Sequence, residues 1–372
     1  MWFFPKDLIK QKTIIIDDIQ GYVLPHASTK ITGNILSHTL RFRPKKFFDH
    51  IIILYYPANQ TPNVNGIYYH EYYVVWKALE YVLRHFWNIK REISFKGYNI
   101  RKGEKVEERI RENNNSLVIV SADFSHFLPL HRALEEENCA SHAILQRELN
   151  IDCTKIVDII YSFEELYRII PNNYMLQWIG RTRSPGVIGV GYESFLIRKS
   201  PNPEFKKPNG IFVTAYDKYM RQRECLGEWF SREKKWNKKV ERKLINNVIH
   251  KGSTTSRLTG GKYLEIPITN FTVTYLYMDK INKFIRGWHG IRHNAFYLPD
   301  VFLENTFNNG KWINSADKEW PRGVDFNIKP TLEKLMDKSR RHKLNRDLKT
   351  RKDKKKAYKL YSTRVFHKKI NE

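Results

Sequence analysis

His26, Asn59, Gln60, Asp123 and His126 are the polar residues standing just beyond three apolar, strand-like runs. Imidazole and carboxylate groups gathered at one sheet edge are the equipment of acid–base catalysis or of a metal site. Further along, Cys225 is flanked by Arg223 and Glu224, with His289 downstream. A thiol beside a cation has the makings of a nucleophile or a redox residue. Each residue also has a plainer explanation: a lone Asp or His after a strand commonly caps a helix or satisfies a buried backbone group, and a lone Cys packs as a small hydrophobe. Convergence lifts the first group above its members. Asp123, His126 and Cys225 are thus the catalytic candidates, with His26, Asn59, Gln60, Arg223, Glu224 and His289 lining the candidate pockets. His289 and His293 are four apart, but Gly287 and Gly290 argue for a turn there and against a helical metal pair.

Those residues need elements to hold them. The β-branched run 13–16 reads as a strand, followed by a loop through Gly21 to His26 and a helix carrying Ile35, Leu36 and Leu40. Buried strands are expected over 51–56 and 116–120, with a helix over 71–86. The alternation predicts an α/β sheet with helices on both faces, where ligands sit at the loops after the strand C-terminal ends. Crowded Pro, Asn and Gly over 200–210 read as a linker. Beyond it come a strand over 211–214, a basic amphipathic helix with Trp236, Val240, Leu244 and Val248 every four residues, and a half-buried strand over 266–277. After Lys329 the apolar content drops, and a solvated helix or flexible tail is expected. The expected divisions are an α/β domain over 1–200, a smaller α+β domain over 210–330 and a basic tail over 331–372.

The 372 residues include 41% hydrophobic and 14% aromatic side chains, which suits packed domains and excludes a disordered or fibrous chain. No apolar run reaches the roughly 18 residues of a membrane-spanning helix, and the first residues lack the pattern of a secretory signal, so no membrane partner is expected. Three cysteines without a C-x-x-C pair predict neither a disulfide framework nor a cysteine zinc site, hence a reducing, cytoplasmic setting. Lys and Arg number 65 against 39 Asp and Glu, for a net charge of +26. A field of that sign favours polyanions. The tail is enriched, with 16 basic and 5 acidic residues over 331–372, and Arg351, Lys352, Lys354, Lys355 and Lys356 are candidate contacts for non-specific nucleic acid. The wealth of Lys, Asn, Ile and Tyr also fits an A+T-rich coding genome such as that of a large DNA virus, which would place the protein in a viral factory or virion.

Pro25-His26-Ala27-Ser28-Thr29-Lys30-Ile31-Thr32-Gly33 resembles the P-H-A-G-Y-x-x-x-G loop of the Memo family, built on the fold of the class III extradiol dioxygenases. The segment from Val120 to Phe127 is similar to that family's V-S-S-D-F/L-x-H-W/Y block, and Gly180-Arg181 through Pro185-Gly186-Val187 to its C-G-x-x-P block. The resemblance implies a dioxygenase-type sheet and a metal held by two His and a Cys. Here His26 is the one ligand retained, while Asn59 and Ile179 stand at the other two positions, so a degenerate, metal-free pocket is expected, with no cofactor; iron, copper or zinc would enter only an intact site. In the second half, Gly210-Ile211-Phe212-Val213-Thr214, then Arg221-Gln222-Arg223-Glu224-Cys225-Leu226-Gly227, and later Gly287-Trp288-His289-Gly290-Ile291 and Ala295-Phe296-Tyr297-Leu298-Pro299, resemble the signatures of the AMMECR family. There Glu224 replaces a Gly; were that position to need positive φ or close backbone approach, Glu224 would strain it. The expected function is a binding or structural protein that keeps both folds, with unknown protein partners. The alternative is a redox- or metal-linked modification enzyme using Asp123, His126 and Cys225.

Overall fold

Aliphatic runs of the first 200 residues make a six-stranded sheet from β1 (Ile19–Leu24), β2 (His50–Tyr55), β3 (Ser94–Asn99), β4 (Ser116–Ser121), β5 (Tyr174–Arg183) and β6 (Gly191–Lys199). The structure, a computed structural model, describes residues 2–107, 109–110, 115–157, 160–186, 188–200, 202–230, 235–278, 284–293, 295–304, 306–308, 311–313 and 359–369. The chain divides into two compact units between Ser200 and Pro201, at the head of the Pro-, Asn- and Gly-rich stretch.

In the first unit the strand order is β3-β2-β4-β1-β6-β5. The first four strands are parallel, and β6 runs antiparallel to both β1 and β5. Every residue of β1 and β4 is buried, so both faces of the sheet are covered. The covering helices are α1 (Thr29–Thr39), α2 (His70–His85), α3 (Leu130–Leu145) and α4 (Ile160–Ile169). The expected first strand is displaced. Residues Ile14–Ile16 form only a short parallel ribbon with Phe42–Pro44, and the chain enters the main sheet at Ile19. Gly21 belongs to β1 rather than to a loop, because β1 passes so close to β4 that a Cβ on Gly21 would lie 1.8 Å from the Val118 carbonyl oxygen.

The second unit holds β7 (Gly210–Asp217), β8 (Gln222–Trp229), β9 (Ile268–Met278), β10 (His289–His293), β11 (Ala295–Tyr297) and β12 (Lys359–Lys369) in the order β8-β7-β9-β12-β10-β11, antiparallel throughout. Helix α5 (Lys238–Thr254) packs Leu244 and Val248, with Trp236 just ahead of it, on Ile211, Val213, Val273 and Tyr275. Phe212 and Leu276 point to the other face, where Leu298, Cys225 and Trp229 join them. Over Lys359–Lys369 the expectation of a solvated tail is corrected: these residues form β12, paired with β9 over Tyr361–Lys369 and with β10 over Lys359–Ser362, while the rest of 331–372 lies outside the described residues. Alternation of Leu360, Ser362, Arg364 and Phe366 with its neighbours is too charged to read as an interior strand, which is why composition alone misplaced it. Arg351, Lys352, Lys354, Lys355 and Lys356 lie outside the described residues.

The cysteine reading also needs correction. Cys139 of α3 is joined by a disulfide to Cys153, 14 residues on, leaving Cys225 outside any disulfide. The pairing arises because α3 and the short turn of helix at Asp152–Ile156 fold against each other, a tertiary fact that no spacing motif announces. With two of the three cysteines bonded to each other, a reducing compartment no longer follows from them.

Candidate functional site

β1 and β4 are parallel neighbours, so their C-terminal ends lie side by side, and each is followed two residues later by a polar group: His26 after Leu24, Asp123 after Ser121. The His26 amide donates to Asp123 Oδ1 at 3.0 Å, its ring Nε2 lies 3.5 Å from Asp123 Oδ2, and its Nδ1 lies 3.1 Å from Ser121 Oγ. His26 is 2% exposed and Asp123 5%. A dyad so placed is anchored twice, once by backbone and once by ring, and has almost no contact with water. Ser121 Oγ in turn donates to the Glu71 carbonyl at the start of α2.

That helix brings a residue the sequence reading passed over. His70, the first residue of α2, sets its ring edge-on to His26 at 5.4 Å between centroids. Its Nδ1 lies 3.2 Å from Glu71 Oε2, and Trp2 stacks on its far side at 4.5 Å, 16° from parallel. Glu71 Oε1 accepts from the Ala58 amide at 2.9 Å, which ties down the loop after β2. The signal lay in the His-Glu pair opening the expected helix, hidden because the helical pattern of the segment claimed it first.

Asn59 and Gln60 are not part of this cluster. Both are exposed on the loop after β2, where the Gln60 carbonyl accepts from Tyr69 Oη at 2.6 Å, and Asn59 makes no hydrogen bond among the described residues. His126 is half-buried beside Phe127, which adopts φ 53° and is 72% exposed. Ile179 is fully buried in β5. The three positions that the Memo resemblance assigns to metal ligands thus hold a buried imidazole set between Ser121 and Asp123, a surface amide and a buried hydrocarbon, a set that does not fit iron, copper or zinc. Among the described residues no group of three His, Cys, Asp or Glu is arranged to hold a metal.

A second polar cluster adjoins the same loop. Ser125 Oγ donates to Glu137 Oε1; Arg181 Nε lies 2.9 Å from Glu193 Oε1 and 3.3 Å from Glu137 Oε2; Arg183 Nη1 lies 3.7 Å from Glu137 Oε1; and Ser141 donates to Glu193 Oε2. Arg181, Glu137 and Glu193 are each under 5% exposed. Two carboxylates and two guanidiniums therefore share one interior space, and burial, helped by the nearby Glu137 charge, pushes the Glu193 carboxyl up to about 7 against the pull of Arg181. The cluster joins α3 to β5 and β6, and Gly191 lets Glu137 reach the strand, since a Cβ there would lie 2.0 Å from Glu137 Oε1. The loop holding Asp123 is clamped to the start of β6 by Phe124 N to Gly191 O and Gly191 N to Ser125 O, both 2.8 Å.

In the second unit Cys225 is half-buried on β8, its Sγ 3.3 Å from Thr214 Oγ1 on the paired strand. Arg223 is not poised on the thiol. It sits where the β7–β8 register shifts, fully buried, donating to Ser256 Oγ at 3.0 Å and the Ile266 carbonyl at 2.8 Å, with Asp217 3.6 Å away. Glu224 causes no strain: it lies in regular strand without positive φ, accepts from the Cys225 amide at 2.9 Å and pairs with Arg257 at 2.9 Å. Arg257, absent from the sequence reading, also donates to the Cys225 carbonyl at 2.9 Å. His289 is buried on β10, its Nδ1 accepting from the Ile285 amide at 2.9 Å, and β7, β9 and β12 intervene between its strand and β8 in the hydrogen-bonded order.

No protein-family model matches the chain, and no curated protein matches it either.

Proposed function

We propose that the chain is a divergent Memo–AMMECR type protein that retains both folds as a binding or structural protein and has given up the metal chemistry the resemblance would imply. The observation carrying this reading is the state of His26. Both of its ring nitrogens face protein partners, Ser121 and Asp123, inside a site 2% exposed, and neither position expected to supply a further ligand holds one. An imidazole held between a hydroxyl and a carboxylate in this way organises two loops. The loop cluster then serves as a rigid edge on the first unit, and specificity lies in the surfaces around it.

Elemental analysis of full-length protein purified without chelator tests the reading. Less than about one-tenth of an equivalent of iron, copper or zinc is expected, unchanged by His26→Ala. Stoichiometric metal that His26→Ala abolishes would overturn it.

A further inference from the structure

Helix α5 presents solvent with a face of unopposed cations. Its apolar side is spent on the core of the second unit, where Leu244, Val248, Val240, Ile245 and Ile249 meet the sheet. The other side carries Lys239, Arg242 and Lys243, all exposed, in line with exposed Asn246, Asn247 and His250; at ~100° per residue the exposed Lys238 and Lys251 stand towards its apolar flanks. Lys238 pairs with Glu204 at 2.6 Å, but Lys239, Arg242, Lys243 and Lys251 have no carboxylate partner among the described residues. The helix's one acidic residue is buried: Glu241 accepts from Trp236 Nε1 at 3.0 Å and Tyr275 Oη at 2.8 Å and offsets nothing outside. Lys238 and Lys239 occupy the first turn, with Lys235 ahead of it and Lys207 5.3 Å over the Trp236 ring. Backbone amides already make that end positive, so added lysines work against the helix unless an anion lies there.

We infer that this face of α5 docks on the phosphate backbone of nucleic acid. The polar stripe from Lys239 to His250, with its cations at Lys239, Arg242 and Lys243, runs about 17 Å along the helix, the length of about five base pairs. It bears no aromatic or large apolar side chain, so it offers bases nothing to stack on and reads no sequence. For the same reason it is not a membrane-surface helix, whose apolar side must be available to lipid. The inference depends on the binding-protein reading only in treating α5 as a contact surface; the metal content of the first unit leaves it untouched.

The test measures binding of full-length protein to a 20-base-pair duplex and a 20-nucleotide strand by fluorescence anisotropy at 50 and 200 mM NaCl. With three phosphate contacts, duplex affinity is expected to fall about forty-fold across that salt range. Combining Lys239→Ala, Arg242→Ala and Lys243→Ala should weaken binding at 50 mM at least tenfold and flatten the log–log salt slope by about 2.7. A control with the same charge loss at exposed sites of the first unit, Lys6, Lys10 and Lys12 each to Ala, should change binding less than threefold. Should the triple variant fail to fold, Lys239→Ala and Lys243→Ala singly should each remove about 0.9 from the slope. Unaltered binding by the α5 variants, an equal loss in the control, or tighter binding to phosphatidylserine vesicles than to duplex would overturn the inference.

Discussion

Asp123 satisfies the His26 amide and faces its ring, so Asp123→Ala strands a buried donor and an imidazole at once. The expected cost is about 2 to 3 kcal/mol in urea unfolding, whereas Asn59→Ala, on an exposed side chain with no hydrogen bond among the described residues, should stay within about 0.5 kcal/mol. Equal effects would mean that Asn59 belongs to the site after all. His26 and Asp123 were legible in the sequence because each directly follows an apolar run, and strand ends are readable landmarks. His70 and Arg257 were not, because what gives them their place is a helix start packed against one loop and a turn packed against one strand. Arg223 shows the reverse error: nearness in sequence to Cys225 suggested an activated thiol, yet the register shift commits its guanidinium to Ser256 and Ile266.

The elements α3, β5 and β6 are joined through charges, and this makes their union sensitive to pH. Glu193 has its carboxyl raised from an ordinary 4.5 to about 7, so the folded state holds a proton that the unfolded chain has already released. Stability from this group is complete below about pH 4.5 and lost as pH rises through about 7, by roughly 3 kcal/mol at most. Urea unfolding between pH 5 and 8 should show the decline in the wild type and a flatter profile in Glu193→Gln; a wild type that gains stability over this range would refute the assignment. Arg181→Met should cost about 3 to 5 kcal/mol, since it leaves Glu137 and Glu193 facing each other in the interior. None of this was readable beforehand, because Glu137 and Glu193 lie far apart in sequence and each alone passes for a surface residue.

Across the whole molecule, the alternation of strands and helices in the first 200 residues and the break near residue 200 were evident in the pattern of apolar runs and turn formers. The role of the last residues was not, since a lysine-rich segment gives no sign that it will lie between two strands. Residues Lys359–Lys369 pair with Ile268–Met278 on one side and with His289–His293 on the other. Removal of 331–372 is therefore expected to unfold the second unit and leave the first intact, visible as loss of hydrogen-exchange protection in β7 and β9 but not in β1 and β4. If β7 and β9 keep full protection, β12 is an accessory strand. Loss of nucleic-acid binding in that truncation would say nothing about a basic arm, because α5 would lose the sheet it packs on.

Strand β9 is 11 residues long and nearly all buried, and its partner arrives some 80 residues later. Until that distant segment returns, a long, apolar, hydrogen-bond-hungry edge stands open to any other chain. Refolding of the second unit should accordingly be slow and concentration-sensitive, with aggregation competing for the slot that β12 fills.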